Sequence, residues 1–181
     1  MKITIFGLPG VGTSTAAQKL SSVLGYEFVS TGGMFREKAK KMGITLNELD
    51  KLSQTDKSHD LEMDQEIAEF GRQNDNFIID SRLAWYFVPD SLKVKLTCPD
   101  QERFDRIAKR EGITREEAEK MTKEREGYKA DRYFRYYGLS DYASDHNFDL
   151  IIDSLKNDPD QVVAAVLEVV RSTGDLSEEN F

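Results

Sequence analysis

The stretch Ile3-Thr4-Ile5-Phe6-Gly7-Leu8-Pro9-Gly10-Val11-Gly12-Thr13-Ser14-Thr15 passes from β-rich residues through spaced glycines into hydroxyl residues. Apolar residues at helical spacing follow from Thr15 to Leu24, and Gly25 stops them. The reading is strand, glycine turn, helix. Glycines let the backbone curl until its N–H groups point inward, and the helix N-terminus adds partial positive charge, so the turn becomes a cup for an anion such as phosphate. The pattern G-x-x-G-x-G differs from the G-x-G-x-x-G of dinucleotide sites, and no acidic residue closes the next strand to hold a ribose.

Working outward, Tyr26 to Ser30 reads as a second strand, with a helix from near Met34 to about Lys41 after Thr31-Gly32-Gly33. Two amphipathic helices fit between Thr45 and Phe70, one with Leu46, Leu49 and Leu52 on a face, the other with Met63, Ile67 and Phe70. Phe77 to Asp80, Leu92 to Thr97 and Leu150 to Asp153 are short apolar runs of buried-strand type. Asp100 to about Tyr137 reads as helix interrupted at Gly112 and again near Gly127, and Pro159 to Val170 as the last amphipathic helix. Strands alternating with helices imply an α/β fold, a parallel sheet of five strands covered on both faces as a three-layer sandwich.

Composition sets the class. Hydrophobic residues at 39% supply a core and charged residues at 32% a solvated surface, which excludes global disorder. A formal net charge of -8 argues against coating nucleic acid or an anionic membrane, so phosphate binding has to rest on locally gathered cations. Cys98 is the single cysteine, so no internal disulfide forms, and His59 and His146 are too far apart for a local zinc motif. No apolar run approaches bilayer length, and the chain enters its first strand without a signal-like segment. The expectation is one cytoplasmic domain over residues 1–171 with a fraying tail at 172–181.

Two features of the loop matter for chemistry. Ser14 occupies the hydroxyl position that contacts Mg²⁺ in phosphate-binding loops, whereas Thr13 stands where the full motif has lysine. Charge during phosphate transfer must then come from elsewhere. Arg36 follows the second strand, Arg82 the third, and Arg110, Arg125, Arg132 and Arg135 lie in the charged helical segment. Arg125 and Arg132 share a face if that helix is continuous, although Glu124, Glu126 and Asp131 nearby also suit ordinary surface ion pairs. Asp80 ends the third strand, where a carboxylate either orients Mg²⁺ through a water or caps the next turn. Asp60 and Asp64, four apart, either touch an acceptor's base or ribose or are helix-surface acids.

With these motifs in hand, the chain resembles the archaeal-type cytidylate kinases from Met1 to about Val170. The likeness is carried by the glycine loop, then Ser30-Thr31-Gly32-Gly33-Met34-Phe35-Arg36, Asp80-Ser81-Arg82-Leu83-Ala84, Arg106-Ile107-Ala108-Lys109-Arg110-Glu111, Arg125-Glu126 with Arg132-Tyr133, Tyr137-Gly138, and Phe148-Asp149-Leu150-Ile151-Ile152-Asp153. Ser81 departs from the glycine usual in that family. The resemblance implies a P-loop fold with a helical acceptor flap at about 34–72 and a short lid at about 110–138. It implies transfer of the γ-phosphate of ATP to CMP or dCMP with Mg²⁺. ATP would bind Gly7, Pro9, Gly10, Val11, Gly12, Thr13, Ser14 and Thr15, with Arg110 against the donor nucleotide. Ser30, Gly32, Arg36 and Arg82, with Asp60 and Asp64, form the implied acceptor site; Arg125, Arg132 and Asp80 would be catalytic, and Ser14 and Asp80 would hold the metal. A monomer is expected, with no nucleic-acid or membrane partner. Thr13 leaves two alternatives open: a nucleotide-binding regulator with weak or lost catalysis, and a P-loop kinase of another small acceptor.

Overall fold

In the computed structural model, residues 1–56 and 58–173 are described. The elements run β1 (Lys2–Gly7), α1 (Thr13–Leu24), β2 (Glu27–Ser30), α2 (Thr31–Met42), α3 (Leu46–Thr55), α4 (Ser58–Gln73), β3 (Phe77–Asp80), α5 (Ala84–Phe87), β4 (Leu92–Thr97), α6 (Asp100–Glu111), α7 (Arg115–Tyr137), β5 (Leu150–Asp153) and α8 (Pro159–Ser172). The strands form one parallel sheet in the order β2-β3-β1-β4-β5.

Side-chain alternation divides the core between the two faces. Ile3, Ile5 and Ile78 join Val94 and Ile152 beneath α1 and α8, where Leu20, Val166 and Val170 are buried. Phe6, Phe77 and Ile79 point the other way, toward Trp85, Val88, Ile67 and Tyr133. Successive residues of β3 thus serve opposite layers, which is why its sequence is continuously apolar. The chain leaves β1 toward α1 on one face and β3 toward α5 on the other. Such a divergence opens a crevice at the carboxyl ends of the strands, and the glycine loop and Asp80 both lie there.

Beyond shifts of two or three residues at the ends of α4 and α8, the structure differs from the sequence reading in four places. First, α1 begins at Thr13, two residues early. Second, α2 begins at Thr31 rather than near Met34, because the Ser30 side chain accepts a hydrogen bond from the Gly33 N–H at 3.2 Å and draws both glycines into the first turn. Third, α7 runs 23 residues straight through Gly127. A lone helical glycine costs only about 1 kcal/mol. Against that stand the capping box of Thr114 and Glu117, the left-handed Gly138 stop and the burial of Ala118, Thr122 and Tyr133. Fourth, the single turn α5 went unread; Trp85 pins it through its indole N–H to the Arg82 carbonyl at 3.0 Å. Gly112 does end α6, in the left-handed region at φ 69. Of the expected tail, Ser172 is still helical, and residues 174–181 lie outside the described residues. Among the described residues no helix is long and apolar enough to cross a membrane.

Candidate active site

The loop between β1 and α1 has the geometry that suits an anion. Gly12, at φ 95, is the N-cap of α1 and no side chain caps it, so the first amides of the helix keep free N–H groups beside the positive end of its dipole. Gly10, at φ 88, rests on the backbone of α6; a Cβ there would stand 2.6 Å from the Arg103 carbonyl oxygen. Thr13 folds its methyl back over the loop, where a Cβ on Gly7 would meet it at 2.6 Å. It brings no charge to the site. The Ser14 hydroxyl donates to the Asp80 carboxylate at 2.5 Å, joining the loop to the end of β3.

Arg103 supports this loop from below, and the sequence reading missed it. It is 1% exposed, and its Nη1 donates to the Pro9 carbonyl at 2.8 Å and to Glu126 at 2.9 Å, with Asp100 at 2.7 Å from Nη2. Burial opposes the charge, and the hydrogen bonds to Asp100 and Glu126 more than offset that, so the guanidinium's pKa is raised. Glu126 belongs to α7, so one side chain ties α7 to the phosphate loop. In sequence it is one arginine among many on a charged helix, and no spacing marks it.

Beside the loop opens a cleft of about 470 Å³ walled by Val11, Thr15, Arg106, Leu155 and Pro159. Arg106 is fixed there by Glu102 at 2.9 Å and by the Ser154 carbonyl at 3.2 Å. Arg110 does not wall this cleft: it is largely exposed and pairs with its neighbour Glu111 at 2.8 Å.

The predicted acceptor residues fall into two groups, one at the end of β2 beside Asp80 and one between α4 and α7. Ser30 is paired in register with Asp80, and the Arg36 guanidinium folds back toward Gly32, whose Cβ position lies 3.5 Å from Arg36 Nη1. Arg82 holds a buried Nε without a partner. From α7, Arg125 donates to Asp50 of α3 at 2.9 Å, Arg132 pairs with the buried Asp60 of α4, and the Tyr137 hydroxyl donates to Asp64 at 2.5 Å. The arginines on this face of α7 therefore choose the acids of α3 and α4 over their sequence neighbours Glu124, Glu126 and Asp131. Arg135 is the exception, an exposed pair with Asp131.

These contacts shift the acids. Burial raises Asp60 even against the attraction of Arg132, and it pushes Asp64 up to about 6 against the Tyr137 hydrogen bond and Arg132. Burial and the Asp64 contact raise Tyr137 in turn. A further cation escaped the sequence reading: Lys129, one turn beyond Arg125 on the same face of α7, lies over the Phe35 ring at 5.5 Å. Its helical spacing from Arg125 and Arg132 was the available signal.

A strand-loop-helix cup for phosphate, a hydroxyl and a strand-end carboxylate beside it, and cations folded over from adjoining helices together define a P-loop kinase fold. Solved structures bear this out at the level of fold. A shikimate kinase from Bacteroides thetaiotaomicron matches with a TM-score of 0.64 at 14% identity, over 94% of this chain and 98% of that one. An uncharacterized protein from Eubacterium ventriosum matches with a TM-score of 0.70 at 19% identity, over 95% and 99%. In sequence, the profile of the cytidylate kinase-like family matches residues 2–156. The cytidylate kinase of Methanocorpusculum labreanum is 38% identical over 173 residues, 95% of this chain and 97% of that protein. That of Pyrococcus furiosus is 40% identical over 165 residues, 91% and 85%. The chain belongs to the cytidylate kinase-like family.

Proposed function

We propose that this chain is a cytidylate kinase that transfers the γ-phosphate of ATP to CMP or dCMP, giving ADP and the diphosphate. The supporting observation is the glycine cup with free helix amides, joined through Ser14 to Asp80 and flanked by Arg36 and Arg82. ATP lies with its phosphates along Gly7 to Thr15 and its base toward the cleft of Arg106 and Leu155. Arg36 and Arg82 hold the acceptor phosphate. Its nucleoside runs toward the junction of α4 and α7, where Asp60 and Asp64 stand. On this reading α2 to α4 form the acceptor flap and α7 the lid, within one domain.

Transfer needs no protein nucleophile. An acceptor phosphate oxygen forms a bond to the γ-phosphorus as the bond to the β,γ-bridging oxygen breaks, and ADP leaves with that electron pair. The protein aligns the two phosphates, supplies cations for the charge that spreads over them, and excludes water as α7 covers the site. Arg125 and Arg132 exchange their contacts with Asp50 and Asp60 for phosphate oxygens as substrates enter.

Ser14 Oγ and the Asp80 carboxylate fit Mg²⁺: both are hard oxygen donors and they already meet at 2.5 Å. When bound, the ion neutralises charge on the β- and γ-phosphates.

The test is purified protein with ATP, Mg²⁺ and each nucleoside monophosphate in turn, coupled to ADP detection. ADP formation greatest with CMP or dCMP supports the proposal, and ADP formation independent of acceptor removes it. Thr13 motivates a second reading, a nucleotide binder without transfer. Tight ATP binding by calorimetry with no turnover on any acceptor would favour that reading.

A further inference from the structure

Three cations of the elements around the candidate site carry no ion pair among the described residues: Arg36, Arg82 and Lys129. Lys129 is the one that the cytidylate kinase reading, on which this inference rests, leaves without a role. It is half-buried in the wall of a cavity of about 350 Å³ between α3 and α7, with Arg125 and Arg132 on either side along the helix. Phe35 of α2 lies against it. The charged groups that act on it are Arg82 beyond β3, Arg125 and Arg132 of α7, and Asp50 of α3. It acts in turn on Asp60 and Asp64 of α4. Each of those neighbouring carboxylates already has a partner: Asp50 in Arg125, Asp60 in Arg132 through one oxygen while its Oδ1 has no hydrogen bond, and Asp64 in the Tyr137 hydroxyl. An ammonium on a flexible stem, gathered with three guanidinium groups and lacking a carboxylate of its own, is a site that an incoming dianion completes.

We propose that Lys129 is a catalytic residue: on closure of α7 its ammonium contacts the oxygens of the transferring phosphoryl group and supplies the charge that Thr13, standing in the lysine position of the glycine loop, does not. Its place on α7, rather than in the loop, makes that charge arrive only with the closed lid. The balance of the reaction is unchanged: the acceptor oxygen–γ-phosphorus bond forms, the bond to the bridging oxygen breaks, and Lys129 neither gives up nor takes a proton in the step. Burial and then the repulsion of Arg82, Arg132 and Arg125 hold the Lys129 ammonium well below the usual lysine range, with Asp50 opposing. A bound phosphate reverses that balance and keeps it charged.

The experiment compares wild type, Lys129→Met and Lys129→Arg in CMP-dependent ADP formation at saturating ATP, with ATP affinity by calorimetry and thermal unfolding alongside. Lys129→Met keeps the apolar stem over Phe35. It is expected to lose about 10²-fold or more in kcat, in line with cations that stabilise a transferring phosphoryl group, while ATP affinity stays within about threefold. Lys129→Arg restores much of kcat. Its guanidinium does not titrate, so it is expected to remove the fall in kcat/KM for CMP predicted for wild type as pH rises through the depressed lysine pKa. A Lys129→Met enzyme with kcat within about threefold of wild type, or an alkaline limb unchanged in Lys129→Arg, overturns the inference. Wild type without CMP-dependent turnover defeats the underlying reading and the inference with it, an outcome read separately from the variants.

Discussion

Replacing Arg103 by methionine keeps apolar volume but removes the charge that joins α6, α7 and the phosphate loop. Three contacts are lost and they are not equal. Asp100 is 64% exposed, so its pair contributes at most about 1 kcal/mol. Glu126 is 20% exposed and loses its partner in a mostly buried setting, where breaking a pair costs about 3–5 kcal/mol. Partial rehydration of Glu126 places the total near the lower end, about 3 kcal/mol. For a chain of 181 residues that corresponds to a fall in Tm of about 6–12 °C. The Pro9 carbonyl also loses its tether, and a charged hydrogen bond of about 1.5 kcal/mol in the loop maps to about tenfold weaker ATP binding. Thermal unfolding and ATP titration of Arg103→Met measure both. Asp100→Ala is the control and should lower Tm by no more than about 4 °C. An Arg103→Met protein within about 2 °C of wild type and with unchanged ATP affinity would refute the claim that this side chain supports the loop.

Other outcomes follow from the same geometry. Gly10→Ala places a Cβ 2.6 Å from the Arg103 carbonyl at φ 88, so it should weaken ATP binding by about tenfold or more, measured by calorimetry; unchanged affinity would show that the loop yields freely. Asp64 has its pKa raised from 3.8 to about 6, so its contribution to stability is full below about 3.8 and is lost as pH rises through about 6. Asp64→Asn should flatten that dependence, gaining at most about 3 kcal/mol relative to wild type between pH 4 and 7 in urea unfolding; parallel curves would contradict the burial argument. Ser14→Ala should raise the Mg²⁺ concentration needed for half-maximal rate while leaving stability within about 0.5 kcal/mol, since the side chain is exposed; an unchanged Mg²⁺ requirement would remove Ser14 from the metal site.

Most of the sheet was legible because β1, β3 and β5 are short runs rich in apolar residues that end at a glycine or an acid. Phe77 to Asp80 needed no structure to be placed in the interior. Helix boundaries were less legible where a local signal met a tertiary one. Gly127 looks like a stop until the caps and buried face of α7 are seen to carry the helix past it. Gly32 and Gly33 look like a loop until Ser30 caps them. Of the site, the glycine loop, Ser14, Asp80, Arg36 and Arg82 could be read from position relative to strands, because strand ends in a parallel sheet share one edge. Partners across the fold could not. Nothing in the chain near Arg132 names Asp60, and Arg103 and Lys129 differ from a surface arginine and lysine only through what packs on them.

The central claim is that the glycine cup and the cations around Asp80 hold two nucleotides end to end for direct transfer. A crystal structure with an adenosine-to-cytidine bisubstrate analogue and Mg²⁺ tests it most directly. Its polyphosphate should run from the backbone amides of Gly10 to Thr15 to the guanidinium groups of Arg36 and Arg82, with adenine beside Arg106. An analogue bound elsewhere, or a cup collapsed on itself with those arginines turned to solvent, would contradict the account.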